Sequence, residues 1–176
     1  MKNSQAKCPQ QDQIKFGTDG WRAIIGDTFT FSNIAILSQA ISDWVKNDLS
    51  QIQGQKKIAL GYDTRFMSGD FSKVVASVLS ANNIQVLFSD SCIPTPALSY
   101  GVPHNNCVAG IMITASHNPY QFNGLKIKTA QGGGAGKDIT NRVEGYLYKT
   151  EVQKVDTTTG LSHKCIRSGV WGDASI

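Results

Sequence analysis

Apolar residues recur along this chain with two alternating periods. Between Asn33 and Leu49, the residues Ile34, Leu37, Ile41, Trp44, Val45 and Leu49 fall three or four positions apart, the spacing that lines one face of a helix. Thr30 or Ser32 stands where such a helix needs an N-cap. Phe71, Val74, Val75, Val78 and Leu79 repeat the helical period, and Asn82-Asn83 is placed to close this second helix, because asparagine tolerates the left-handed backbone found there. Lys57–Tyr62 and Ile84–Phe88 are short apolar runs of strand length. An earlier strand ends in Ala23-Ile24-Ile25 and is entered from Ile14-Lys15-Phe16 through a glycine-bearing turn at Gly17–Arg22. Strand, helix, strand, helix, strand in this order predicts an α/β layer fold on a largely parallel sheet, with right-handed crossovers. Ligands of such sheets bind beyond the carboxyl ends of the strands.

The second half continues the pattern less regularly. Pro94 and Pro96 fix a loop ahead of a short helix, and Val108–Ile113 is a continuous apolar run, as expected of a central strand. Asn123-Gly124 reads as a turn, and Leu125–Lys128 alternates as a half-buried strand does. Gln131–Gly136 reads as a mobile glycine-rich surface loop, and Ile139, Val143 and Leu147 mark a weaker helix over Ile139–Tyr148. The polar, glutamine-rich residues 1–13 are expected to form a flexible lead. Residues 14–150 then make one domain, and Glu151–Ile176, without a period, is expected to be a poorly packed tail.

Composition narrows the class. The 176 residues allow one domain. Charged residues are 17% of the chain against about 25% in typical domains, which argues against a disordered polyampholyte or a coiled coil. The formal charge of +4 is spread out, and Lys56-Lys57 is the densest basic run, so the clustered stripe of a nucleic-acid binder is not seen. The start of the chain lacks an apolar signal-peptide core, and no run is long and apolar enough to span a membrane. Cys8, Cys92, Cys107 and Cys165 form no C-x-x-C pair, so zinc has little support, and free thiols in a cytoplasmic protein are expected.

Chemistry concentrates at Thr114-Ala115-Ser116-His117-Asn118-Pro119, which follows the continuous apolar strand. A serine on such a turn is held out of the core. Pro119 disfavours a helical Asn118, and backbone N–H groups of the turn can nest an anion. The segment is either a plain strand-ending turn or the seat of a nucleophile or phosphoryl carrier. A serine-hydrolase elbow does not fit, since Thr114 and Asn118 replace the flanking glycines of G-x-S-x-G. Lys126 returns toward Ser116 across the expected hairpin, where its ammonium could neutralise phosphate or move a proton, and alternation places Lys128 on the same face. Arg22 offers a fork for phosphate oxygens beside the Gly17–Gly20 turn, while Trp21 is read as packing. Asp63-Thr64-Arg65 lies at a strand end ahead of a helix, where Arg65 meets either an anion or a neighbouring carboxylate. Gly132–Lys137 imitates a Walker A loop, but Gln131 and Asp138 stand where glycine and Ser/Thr are required.

In order and spacing, Gly17-Thr18-Asp19-Gly20-Trp21-Arg22, Gly61-Tyr62-Asp63-Thr64-Arg65, Pro94-Thr95-Pro96, and the Thr114–Pro119 element with Asn123-Gly124-Leu125-Lys126 resemble the first domain of the α-D-phosphohexomutases, over about residues 14–149. The resemblance implies a three-layer α/β/α domain with a mostly parallel mixed sheet. It implies phosphate transfer between O1 and O6 of a hexose through a phosphoserine at Ser116 and a bisphosphate intermediate. It makes Lys126 the general acid/base, has Arg22 support the phosphoryl site, and has His117 and Asn118 shape the serine loop. Thr18, Asn118 and Arg65 become candidates for substrate contact. Magnesium is implied through the Ser116 phosphate, and the implied partners are hexose phosphate and hexose bisphosphate.

The family's metal string, of the form D-G-D-x-D-R, is not found in these residues, nor are its sugar-reading and phosphate-clamping loops. Three expectations follow: an N-terminal portion of a mutase with little activity alone, a non-catalytic domain that binds phosphosugars or a partner, or a domain completed by a separate remainder. The first is favoured. An uncovered domain face is expected to promote self-association.

Overall fold

A computed structural model describes residues 14–17, 20–155 and 165–168, the last four as backbone. The helical period beginning at Ile34 forms α1 (Phe31–Asp48), and Thr30 caps it: its backbone is extended and its Oγ1 accepts from the Asn33 N–H at 3.2 Å. The second helical period forms α2 (Ser68–Ala81). Asn83 follows at φ +61° and the Ile84 N–H donates to Leu79 O at 3.0 Å, which stops the helix on an asparagine as expected. The remaining elements are β1 (Gly20–Ile24), β2 (Lys57–Tyr62), β3 (Gln85–Ser89), α3 (Thr95–His104), β4 (Ala109–Ile113), β5 (Phe122–Thr129), α4 (Lys137–Tyr146) and β6 (Cys165–Ser168).

The six strands form one sheet in the order β1-β5-β4-β2-β3-β6. The pairs β4–β2, β2–β3 and β3–β6 are parallel, whereas β5 runs antiparallel to both β1 and β4. The parallel part and the α/β class agree with the periodicity, and the sheet is mixed. From β2 the chain moves outward to β3, then returns past β2 to β4. Right-handed crossovers in opposite directions place their helices on opposite faces. That is the division observed. Ile58, Leu60, Val86, Ile111, Ile113, Leu125 and Ile127 pack with α1 and α2, while Ala59, Leu87 and Met112 pack with Leu98 and Val102 of α3. The three layers follow. On the outer side of α1, α4 is fixed by Tyr146 Oη and Arg142 Nη1, which reach Asp48 at 2.8 and 3.2 Å.

Three local expectations change. Asn123-Gly124 is no turn. Both residues lie inside β5, opposite Ala23 and Arg22. The Asn123 side chain is fully buried, donates to Ser68 Oγ at 2.9 Å and Phe66 O at 3.3 Å, and accepts from the Gly124 N–H at 2.8 Å. These tertiary partners override the turn preference of the dipeptide, and the reversal occupies residues 114–121 instead. The glycine-rich segment is not a loose loop: Gly132 N–H bonds Thr129 O, Thr129 N–H bonds Gly133 O, and Ala135 N–H bonds Ile127 O. Ala135 is buried, and Gly132 has φ +83° against the Ser99 carbonyl, where a Cβ would come within 2.0 Å. Finally, Cys165–Ser168 pairs with β3, and residues 151–155 cross the α1–α2 seam, with Gln153 N–H donating to Gln39 Oε1 at 3.1 Å and Ser77 Oγ to Val155 O at 2.6 Å. The lead at 1–13 and residues 156–164 and 169–176 lie outside the described residues.

Candidate active site

The carboxyl ends of β2 and β4 are neighbours, and each opens into a loop containing a non-glycine residue in the left-handed region. Met67 has φ +59° and Ser116 φ +57°. At Ser116 the conformation turns the side chain out of the sheet, and Ser116 and His117 are exposed while Thr114 and Ala115 are buried. The turn is closed from within: Ser116 N–H donates to Thr114 Oγ1 at 2.9 Å, and Asn118 N–H to Ala115 O at 3.1 Å. Thr114 N–H bonds Gly124 O at 2.8 Å and ties the loop root to β5.

Lys126 meets the serine. It lies opposite Met112 in the β4–β5 ladder, is only 8% exposed, and its Nζ donates to Ser116 Oγ at 3.1 Å. Lys128 shares its face but sits a strand step farther from the loop, opposite Gly110 and beneath α3, so the geometry selects Lys126. Arg22 is brought to the same face by the β1–β5 pairing, directly opposite Gly124. Trp21 faces the other way into the core, where it stacks on Phe29 with ring centroids 5.0 Å apart.

Arg65 points at the serine loop. Its Nη2 donates to Ser116 O at 2.8 Å and Asn118 O at 2.6 Å, and its Nη1 to Pro119 O and Phe122 O at 3.0 Å each. Its Nε lies 3.6 Å from Asp63 Oδ2. Arg65 thus meets the carboxylate of its neighbour Asp63. Asp63 Oδ1 also accepts from Arg65 N–H at 2.9 Å and from Ser68 Oγ at 2.8 Å. Thr18 lies outside the described residues.

A cleft of about 540 Å³ opens between the two loops, with Ser116 and Asn118 on one wall and Thr64, Arg65 and Phe66 on the other. Phe66 and Tyr120 stand at its rim, 71% and 88% exposed. Sequence reasoning passed over both aromatics, since neither belongs to a period. Their signal was their place inside the motifs, one residue after Arg65 and one after Pro119.

The implied magnesium ion finds a poor fit in these residues. Ser116 Oγ offers one oxygen, Asp63 is engaged by Ser68 and Arg65, and among the described residues no three His, Cys, Asp or Glu side chains cluster to hold a metal. Hard divalent cations need a shell of oxygen ligands, which this set does not supply.

A three-layer α/β/α domain that sets an exposed serine against a buried lysine at its strand ends defines the class: a domain that holds a serine oxygen beside a lysine nitrogen. The family model described as "Phosphoglucomutase/phosphomannomutase, alpha/beta/alpha domain I" matches residues 13–154. A phosphoglucomutase of Staphylococcus saprophyticus is 34% identical over 144 residues, covering 78% of this chain and 25% of that protein. A phosphoglucosamine mutase of Synechococcus elongatus is 33% identical over 146 residues, covering 82% and 30%. The crystal structure of a Thermus thermophilus protein assigned as a phosphomannomutase superposes with a TM-score of 0.74 at 31% identity, covering 82% of this chain and 32% of that one. The chain belongs to the phosphoglucomutase/phosphomannomutase family, and the matched part is its domain I. It spans about a quarter to a third of the length of these relatives.

Proposed function

We propose that this domain carries the phosphoryl-transfer serine of a hexose phosphate mutase. The observation that carries the reading is the 3.1 Å contact between Lys126 Nζ and Ser116 Oγ, made by a buried lysine and an exposed hydroxyl. Ser116 Oγ attacks a phosphoryl group of a hexose bisphosphate. The new P–Oγ bond forms as the bond from phosphorus to the sugar oxygen breaks, and the serine proton passes to the lone pair of Lys126 Nζ, which enters this step as the amine. The departing sugar oxygen takes its proton from water or from an acid outside these residues. In the return step a sugar hydroxyl attacks phosphorus and gives up its proton to water or to a base outside these residues, the P–Oγ bond breaks, and Lys126 hands its proton back to Oγ. Between steps the ammonium lies beside the phosphoserine and offsets part of its nearly double negative charge. Positioning and charge neutralisation are the main demands of phosphoryl transfer, and a fixed serine with a fixed cation supplies both.

Arg22, on the same face, adds a second cation toward the phosphate. His117 is exposed beside Ser116, where it and Asn118 border the sugar phosphate. Phe66 and Tyr120 offer apolar rim surface for the groups that read the sugar. We assign that reading, and full turnover, to groups beyond domain I.

The test is direct. Incubated with glucose 1,6-bisphosphate, the chain gains one phosphoryl group, located on Ser116 by peptide mapping, and Ser116→Ala gains none. A chain that stays unmodified with both the glucose and the mannose bisphosphate overturns the reading. Supplied with glucose 1-phosphate and the bisphosphate, the 176-residue chain alone forms no glucose 6-phosphate above background. Robust turnover would remove the assignment of sugar reading to other domains.

A further inference from the structure

We propose that Arg65 is a positioning residue that clamps the nucleophile loop, and that it contributes nothing to substrate affinity. The inference rests on the phosphoryl-transfer reading of Ser116 and deepens it. Four carbonyls, three in the serine loop at Ser116, Asn118 and Pro119 and one at Phe122 where β5 begins, converge on the two terminal nitrogens of a single guanidinium. Arginine has five N–H donors in a fixed fork. Four are committed to these carbonyls, and the fifth, on Nε, faces the Asp63 carboxylate. No donor remains for a phosphate.

The clamp is itself held. Arg65 N–H bonds Asp63 Oδ1, Ser68 Oγ donates to the same oxygen, and Asn123 Nδ2 donates to Ser68 Oγ. The chain of contacts runs from the end of β2 through the start of α2 to the buried Asn123 of β5. The loop that bears Ser116 is thereby fixed against two strands and a helix at once.

Ser116 is the reason a clamp is needed. A non-glycine residue at φ +57° is strained, and such strain persists only where the surroundings over-determine it. The Ser116 carbonyl is held directly by Arg65 Nη2. Released from that bond, the serine relaxes toward negative φ, and its Oγ swings away from Lys126 Nζ. A lysine at position 65 keeps the charge but places its donors at one point, so it cannot span four carbonyls.

Hydrogen exchange and phosphoryl-transfer kinetics on Arg65→Lys and Arg65→Met test the proposal. Expected are faster exchange of the amides from Ser116 to Phe122 with β2 and β4 still protected, and a fall of about 10²-fold in the Ser116 phosphorylation rate at saturating glucose 1,6-bisphosphate, the scale of a reacting group displaced by about 1 Å. The half-saturating bisphosphate concentration stays unchanged. Unchanged loop exchange, or a loss carried by weaker half-saturation at an unaltered maximal rate, overturns the clamp. NMR of the unaltered chain requires no variant to fold: it should show separate, solvent-protected Nη proton signals for Arg65, and one averaged, freely exchanging signal overturns the proposal. If the unaltered chain takes up no phosphoryl group, the phosphoryl-transfer reading fails, and the exchange and NMR measurements decide the clamp on their own.

Discussion

Gly124 faces Arg22 directly across the β1–β5 ladder, and there is no room between them for a methyl group. A Cβ at Gly124 would lie 2.6 Å from Thr114 O, 2.8 Å from Trp21 O and 2.9 Å from Arg22 Cγ. Two of these are backbone atoms and cannot step aside. Gly124→Ala should therefore part β5 from its neighbours and displace Thr114, the root of the serine loop. Overpacking of this kind costs roughly 1–3 kcal/mol. Urea unfolding monitored by circular dichroism checks it, and a variant as stable as the parent with unchanged Ser116 phosphorylation would show that the strands yield.

Lys126 is buried among strands but has its Nζ on a serine oxygen. Lys126→Met keeps the stem and removes the nitrogen to which the proposed mechanism gives the serine proton. Phosphorylation of Ser116 should fall by about 10²–10⁴-fold, the usual share of a positioned acid/base. Quenched time courses read by intact mass measure this. A variant that folds and is phosphorylated at the parental rate would remove Lys126 from the mechanism.

The strained serine makes a separate, thermodynamic prediction. Ser116→Ala and Ser116→Gly both delete the hydroxyl, but only glycine occupies φ +57° without steric cost. The glycine variant should be the more stable of the two by about 1 kcal/mol, the scale of the left-handed penalty for a side-chain-bearing residue. Paired denaturation curves provide the comparison. Equal stability would mean that the loop relaxes in the alanine variant.

Of the two cysteines with described side chains, Cys92 is exposed and Cys107 is buried. Burial pushes the Cys107 thiol up to about 11, against a smaller opposing effect of the Lys57 charge. At neutral pH iodoacetamide should label Cys92 quickly and leave Cys107 intact, as peptide mapping would read. The neutral thiol is the form the fold favours. Its contribution to stability is thus complete below the unfolded thiol's pKa and declines as pH rises from about 9 toward 11. Rapid neutral-pH labelling of Cys107 in the folded chain would contradict its burial.

Much of the fold was legible because the helices are amphipathic on a long period and the parallel strands are short apolar runs. Asn33–Leu49 and Phe71–Leu79 announce α1 and α2, and even the asparagine that ends α2 was readable. The strand at Cys165–Ser168 was not. It is four residues of mixed polarity, and its identity as a strand comes from pairing with β3, which no local window contains. Asn123-Gly124 misled for a related reason, since its turn preference is outweighed by partners in α2 and the preceding loop. At the site, Ser116 and a lysine on its face could be read from alternation, yet choosing Lys126 over Lys128 needed the register. The engagement of Arg65 was hidden because its partners are carbonyls, which carry no signature in the sequence.

The place of Cys165–Ser168 beside β3 bears on how the molecule behaves in a crowded solution. Without it, β3 with its Val86-Leu87-Phe88 centre would be the last strand of the sheet, offering unpaired N–H and C=O groups along an apolar ribbon. Such ribbons template intermolecular pairing and fibril growth. Four residues of mixed polarity, added in parallel register, put a short outer strand in place of an apolar one and so serve as a guard against aggregation.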